Sequence, residues 1–334
     1  MKPIVITTGC PSGIGPEVAL AAVRRVPKGL VLVGDIATLR ERSPLVGVDP
    51  NRLREIARVA DSFKMPRGAI AVVQASAVLA GRDRIPGKPT KATGAAQLAF
   101  IDRALGLVTS GEASAIVTGP VNKKVIVNSG LVRARRFRGH TEYLEEHTGA
   151  SPVTMAFWSE KLTTSLVTTH LPLAKVARAI TIEGVLRATV HVADLMLRLG
   201  VSAPKVVVSG LNPHAGEGGL LGREEERLVA PAIALARAHF KRNRQVSISG
   251  PVPAESAFRL AASGKFDAVV AMYHDQATIP MKLIGFGDAV NVTLGLPIVR
   301  TSVDHGTGYD RAGKGTADAS GMLAAIELAR RLGK

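Results

Sequence analysis

KPIVITTGCPSGIGPE, residues 2–17, holds one short β-branched run followed by a loop punctuated by Gly9, Gly13 and Gly15. Residues 2–9 read as a strand, because isoleucine, valine and threonine suit a pleated, buried surface. Pro16 and Glu17 then open a helix, since proline is pre-set for the first turn and an acidic side chain complements the N–H groups exposed there. Strand, glycine turn and helix make one βα unit, and the order recurs. LVLVGD (30–35), AIAVVQ (69–74) and ASAIVTG (113–119) read as strands, with TGAAQLAFIDRALGLVTSG (93–111) an amphipathic helix between the last two. KLTTSLVTTH (161–170), APKVVVSG (203–210), QVSISGPVP (245–253) and FDAVVAMY (266–273) continue the strands, and residues 181–200 and 224–240 the helices. Strands alternating with helices imply parallel pairing through right-handed crossovers, hence an α/β fold.

Composition agrees with this pattern. A chain of 334 residues with 46% hydrophobic content buries a large core, as one big α/β domain or two lobes. Aromatics are only 4%, so that core is built from small aliphatic side chains. No repeat, low-complexity tract or flexible linker interrupts it. Cys10 is the single cysteine, which excludes an internal disulfide and suits a reducing compartment. The opening MKPIVITTGC is too short in apolar residues for a signal-peptide core, and no later run reaches the roughly 18 residues of a membrane span. A cytoplasmic protein is expected. The net charge of +16 raises nucleic acid as a partner, but the basic residues are dispersed. Their densest clusters, RARRFRGH (133–140) and KRNRQ (241–245), read as solvated surface that would also favour an anionic substrate.

Three histidines share one kind of position. His170 ends the run SLVTTH, His214 follows VVVSG in LNPHAGEGG, and His274 follows VVAMY, each just past the carboxyl end of a strand. Ligands of parallel α/β sheets bind at those ends. Three neutral imidazoles arriving there suit one divalent cation with coordination positions left open, the arrangement of a catalytic site. A histidine beside a strand is also commonly just a hydrogen-bonded or exposed side chain, and this spacing is no fixed metal motif. His140, His147, His191, His239 and His305 do not share the pattern, and His191 and His239 fall inside helices as structural residues.

GHTEYLEEHTG (139–149) places His140 and Thr141 at a helix start, where outward N–H groups favour an anion, although an ordinary N-cap is the commoner role for a residue such as Thr141. Lys282, Asn291 and Arg300 interrupt otherwise apolar runs, so each must reach solvent, a partner or a ligand. HGTGYDRAGKG (305–315) approaches a P-loop, but Gly315 stands where Ser or Thr is required. GCPSGIG lacks the G-x-G-x-x-G spacing as well.

Taken together, GCPSGIGPE, VTGPVNK, GHTEYLEE, TTHLPL, SGLNPHAGEGG, GPVPAESAF, AMYHDQ, GFGDAVNVTLGLPIVRTSVDHGT and AGKGTAD resemble the 4-hydroxythreonine-4-phosphate dehydrogenase (PdxA) family of vitamin B6 biosynthesis over nearly the whole chain. The resemblance implies the fold of isocitrate and isopropylmalate dehydrogenases: two α/β/α lobes of largely parallel sheet, with the active site in the cleft between them. Residues 1–135 with 285–334 would form a cofactor-binding lobe, and 136–284 a metal and dimerisation lobe. It implies His170, His214 and His274 as ligands of one zinc, magnesium or cobalt ion shared across a homodimer. His140, Thr141, Lys282, Asn291 and Arg300 would contact a small phosphorylated substrate. HGTGYDRAGKG resembles the NAD-binding loop of that fold, so His305, Gly306, Gly308 and Gly313 would contact NAD or NADP. His274 and Asp275 would be catalytic, with Asp275 moving a proton or orienting a ligand.

The expected reaction is oxidation of 4-phosphooxy-L-threonine to a β-keto acid that decarboxylates to 3-amino-2-oxopropyl phosphate. Cys10 stands where many relatives carry an acidic residue, and QATIPMK and TGYDRAGKG depart from the usual pattern. Related enzymes oxidise D-threonate or D-erythronate 4-phosphate, which keeps those substrates as an alternative. An acyl-phosphate transferase of the same broad fold, or a basic nucleic-acid-binding protein, would need neither NAD nor the three histidines.

Overall fold

A computed structural model describes residues 2–26, 28–150, 152–242, 245–285 and 287–333. The chain forms two compact units, Met1–Ser151 with Leu296–Lys334, and Pro152–Gly295.

The first unit opens with β1 (Ile4–Thr7), α1 (Gly15–Arg25), β2 (Leu30–Gly34) and α2 (Ile36–Arg42). Next come β3 (Leu53–Glu55), β4 (Ile70–Gln74), α3 (Lys91–Thr109) and β5 (Ala115–Thr118), then α4 (Lys123–Val127) and α5 (His140–Thr148). Every residue of β1, β2 and β5 is buried, which is why they read as unbroken apolar runs. β1 lies between β2 and β5, Val5 opposite Val31 on one side and Ile116 on the other, in parallel register. β4 extends the sheet beyond β2, and β3 beyond β4.

α3 starts at a reciprocal cap in which Thr90 Oγ1 accepts the Thr93 N–H and Thr93 Oγ1 accepts the Thr90 N–H. One face of α3, with Ala96, Phe100, Ala104 and Leu107, covers Val5, Val31, Val73 and Ile116 of the sheet. Another, with Leu98, Ile101 and Leu105, packs on Ile126, Phe137, Tyr143 and Leu144. That second cluster ties α5 to the first unit, where the Tyr143 hydroxyl also donates to Asp102 Oδ1 at 2.5 Å. The junctions between units accordingly fall later in the chain than 135/136 and 284/285.

The second unit contains β6 (Thr154–Trp158), β7 (Thr163–Leu166), α6 (Leu173–Ala179), α7 (Ile182–Arg198) and β8 (Lys205–Ser209). It continues with α8 (Ala230–His239), β9 (Ser247–Val252), α9 (Ala254–Ala262), β10 (Ala268–Ala271), α10 (His274–Ile284) and β11 (Val290–Leu294). Its strands run in the order β11-β6-β7-β10-β8-β9. β7, β10, β8 and β9 are parallel, as expected of a largely parallel sheet, and β6, antiparallel to both β11 and β7, is the exception. The reason is the connection: only residues 159–162 join β6 to β7, too few for a crossover. Ser159 closes that turn, its N–H donating to Leu162 O at 2.9 Å and its Oγ accepting the Leu162 N–H.

The chain then returns to the first unit as β12 (Arg300–Val303), parallel to β5, and α11 (Ser320–Leu332). Of the basic cluster at 241–245, residues 243 and 244 lie outside the described residues. Among the described residues, no helix is long and apolar enough to cross a membrane.

Candidate active site

β7, β10 and β8 are neighbours, and their carboxyl ends release the three segments that carry His170, His274 and His214. Pairing continues past the ends of β7 and β10, with the Val167 N–H donating to Ala271 O and the Thr168 N–H to Met272 O. The Thr168 hydroxyl adds a bond to Met272 O at 2.7 Å. This locked pair of strand ends brings the His170 and His274 rings together, their centroids 5.5 Å apart. Gln276 joins the third strand end: its Oε1 accepts the Met272 N–H at 2.6 Å and the Ser209 hydroxyl at 3.1 Å, while its Nε2 donates to Gly210 O.

His274 Nδ1 lies 2.7 Å from Asp275 Oδ1. A neutral ring that donates its Nδ1–H there carries its lone pair on Nε2, the tautomer a metal needs. Two such imidazoles are a donor set for a borderline divalent cation. His214 lies on the adjacent loop, and among the described residues no three His, Cys, Asp or Glu side chains of the single chain gather closely enough to hold a metal ion. In the same unit, Lys282 is exposed on α10, and Asn291, half-buried on β11, faces Phe157 across the antiparallel pair.

The backbone around His214 is unusual. Residues His214, Ala215, Gly216, Glu217 and Gly218 all have φ between 45° and 82°, forming a turn of left-handed helix that includes three non-glycine residues. Side-chain crowding costs roughly 1–2 kcal/mol per non-glycine residue in that conformation. Glu225, only 5% exposed, faces the turn. Its Oε1 accepts the N–H groups of Leu211 and Asn212 at 2.8 and 2.7 Å, and its Oε2 accepts the Asn212 side-chain amide at 3.0 Å.

A second constellation belongs to the first unit. Arg300, first residue of β12, is 4% exposed, and its guanidinium donates to Thr118 Oγ1 at 2.8 Å through one terminal nitrogen. Burial pushes its pKa down to about 10, against the opposing pull of Glu142, so it remains a cation at neutral pH. His140 opens α5, and its pKa is held well below the ordinary 6.5 by burial and then by the Arg300 and Lys123 charges. The ring is therefore neutral at pH 7, and its buried Nε2 has no hydrogen-bond partner among the described residues. Thr141, half-buried, follows on the first turn. An enclosed cation, an unsatisfied imidazole nitrogen and a helix start converge on an anion, for which a phosphate has the right charge and acceptors.

The glycine-rich loop 305–315 is held by the loop after β1. Buried Glu17 accepts the N–H of Gly313 at 2.6 Å and of Gly315 at 2.9 Å, and the Ile14 N–H donates to Thr307 O. Gly308 adopts φ 51°, and an added Cβ there would lie 2.9 Å from Ile14 Cδ1, so glycine is required on both counts. His305 Nδ1 donates to Gly306 O at 3.0 Å, which leaves a buried Nε2 lone pair with no partner among the described residues. Gly306 beside it is open, with nothing within 4 Å of a notional Cβ. An enclosed acceptor beside bare backbone fits the hydroxyl and amide donors of a dinucleotide.

Glu17, Glu225, Gln276 and Thr118 escaped the reading of the sequence. Glu225 sits between Glu224 and Glu226, and only burial separates them. Glu17 carried a helix-start signal that concealed its second task.

The family model described as "Pyridoxal phosphate biosynthetic protein PdxA" matches residues 27–329. The 4-hydroxythreonine-4-phosphate dehydrogenase of Aromatoleum aromaticum is 44% identical over 329 residues, covering 98% of this chain and 95% of that protein. The enzyme of the same description from Acidithiobacillus ferrooxidans is 42% identical over 332 residues, covering 98% and 96%. Among solved structures, the 4-hydroxythreonine-4-phosphate dehydrogenase of Klebsiella pneumoniae superposes with a TM-score of 0.84 at 35% identity over 100% of both chains. A β-decarboxylating dehydrogenase from Thermococcus kodakarensis, at TM-score 0.51 and 13% identity over 100% of this chain and 84% of that one, shares the fold alone.

Proposed function

We propose a function from the premise that this chain belongs to the PdxA family of pyridoxal phosphate biosynthetic proteins. It is an oxidoreductase that converts 4-phosphooxy-L-threonine, with NAD or NADP, to a β-keto acid that decarboxylates to 3-amino-2-oxopropyl phosphate. The single observation in the structure that carries this reading is the buried Arg300 beside the unpartnered His140 Nε2, a pocket of positive charge built for a dianionic group.

Arg300, His140 and Thr141 bind the phosphate, with Lys282 as a further cation and Asn291 as a polar contact. A neutral His140 donates its ring N–H to a phosphate oxygen while Arg300 supplies the charge. His305, Gly306, Gly308 and Gly313 hold the nicotinamide cofactor, and Glu17 fixes the loop that does so. His170, His214 and His274 hold a divalent cation, with zinc, magnesium or cobalt as candidates. When bound, that ion supplies the Lewis acidity that makes a secondary alcohol a ready hydride donor and steadies negative charge during loss of CO₂. Asp275 accepts the Nδ1–H of His274 and so keeps that ring in the ligating tautomer, and its other carboxylate oxygen is the candidate to take up a substrate proton.

The active protein is a cytoplasmic homodimer. Five exposed leucines and one isoleucine support the dimer: Leu171 and Leu173 follow His170, Leu220 and Leu221 follow the His214 turn, and Ile279 and Leu283 lie one turn apart on α10. Apolar side chains this exposed, on the same segments as the proposed ligands, suit burial against a second copy that completes the ligand set.

The test is a substrate panel, 4-phosphooxy-L-threonine against D-threonate and D-erythronate 4-phosphates, each with both nicotinamides, followed by reduced-nicotinamide absorbance. Turnover of 4-phosphooxy-L-threonine at the highest kcat/KM supports the proposal, and turnover of only the sugar acids overturns it. Arg300→Ala should raise KM for the phosphorylated substrate by about 10- to 100-fold, the worth of a charged hydrogen-bonding group. An unchanged KM removes Arg300 from the phosphate site.

A further inference from the structure

We infer that Glu225 is the positioning residue of His214: its buried carboxylate holds the left-handed turn that presents the imidazole. The inference rests on the reading of His214 as a metal ligand. Three donors converge on this carboxylate, the Leu211 and Asn212 N–H groups and the Asn212 side-chain amide. Two glycines make room for the arrangement. A Cβ on Gly216 would lie 2.7 Å from Glu225 Oε2, and one on Gly210 would lie 2.8 Å from Ala215 Cα. Glu225 also begins a π-helical turn, Glu225–Val229, at the head of α8, a local distortion that recurs at functional sites.

A conformation that non-glycine residues disfavour persists only where its surroundings over-determine it. His214, Ala215 and Glu217 carry that cost, and the hydrogen bonds of Glu225 to the two preceding N–H groups offset it. A carboxylate is required chemically. All three facing groups are donors, and a side-chain amide, in either orientation, turns one of its own N–H groups toward a donor. Glu225 acts through the chain that carries the ligating ring.

The experiment compares Glu225→Gln, His214→Ala and the double variant Glu225→Gln with Glu217→Gly in the full-length protein. Zinc affinity is measured by competition with a chromophoric chelator, and exchange rates are followed at the Leu211 and Asn212 amides. Glu225→Gln should weaken zinc binding by about 10- to 100-fold, as loss of an outer-shell partner does. It should also speed exchange at both amides. Glu217 is exposed and left-handed, so glycine there relieves strain without touching packing, and the double variant should recover roughly fivefold of the lost affinity. If Glu225→Gln does not fold, Gly216→Ala reads the same contact from the other side and should lose at least about tenfold. Zinc affinity unchanged in Glu225→Gln, or in Gly216→Ala, while His214→Ala loses it overturns this inference alone. Zinc affinity unchanged in His214→Ala overturns the ligand reading and this inference with it.

Discussion

His140 illustrates how one side chain links the site to stability. Its pKa in the folded chain lies well below 6.5, chiefly through burial, and that of His191 is lowered for the same reason. In the unfolded chain such rings take up a proton near pH 6.5. Unfolding therefore binds protons as the medium becomes acidic, and stability falls with pH by up to about 1.4 kcal/mol per unit for each ring. Melting temperature should drop as pH is lowered from about 7 to 5.5, and His140→Gln should make that drop shallower; an identical slope in the variant would mean that the ring is protonated in the fold. The position of His140 at a helix start was legible in GHTEY, but its neutrality was not. Arg300 and Lys123, which help to set it, are distant in sequence and meet it only in the fold. His170 and His274 were legible as strand-end residues, whereas Glu225 looks like any of three consecutive glutamates.

Helix α3 shows how local preference and packing part company. Gly94 and Gly106 both sit inside it, and helix propensity alone favours alanine at either by about 1 kcal/mol. Around Gly106 a notional Cβ meets nothing within 4 Å, whereas at Gly94 it would run into the carbonyl of Val125 on α4. Gly106→Ala should raise stability by about 1 kcal/mol, and Gly94→Ala should lower it by about 1–3 kcal/mol through overpacking, both read from denaturant midpoints. Equal effects would mean that α4 moves freely against α3. The elements themselves were largely readable where period and punctuation agreed, as in β1, α1, α3, α7 and β8. They were not where signals conflicted. β6 was not read as a strand, because the turn to β7 carries no glycine or proline to mark two runs, and α10 was masked by Pro280, a residue that usually ends a helix.

At the scale of the molecule, the cores of both units are assembled mainly from aliphatic side chains with a few aromatic rings, and His170 and His214 lie on exposed segments outside them. Chelation should accordingly abolish turnover while leaving the far-ultraviolet circular dichroism unchanged, with activity restored by added zinc, magnesium or cobalt. Collapse of the dichroism on metal removal would make the ion structural. The net charge of +16 should also make kcat/KM for a phosphorylated substrate fall as ionic strength rises. Order of synthesis carries a different consequence. The first unit is completed by β12 and α11, which a ribosome translates after the whole of the second unit, itself one uninterrupted stretch. A nascent chain therefore carries the edge of β5 bare while Pro152–Gly295 emerges, and bare strand edges recruit other strands. Termination between Gly295 and β12 would yield a polypeptide whose middle is finished and whose beginning is still looking for its neighbour, a species that chaperones must shield or proteases remove.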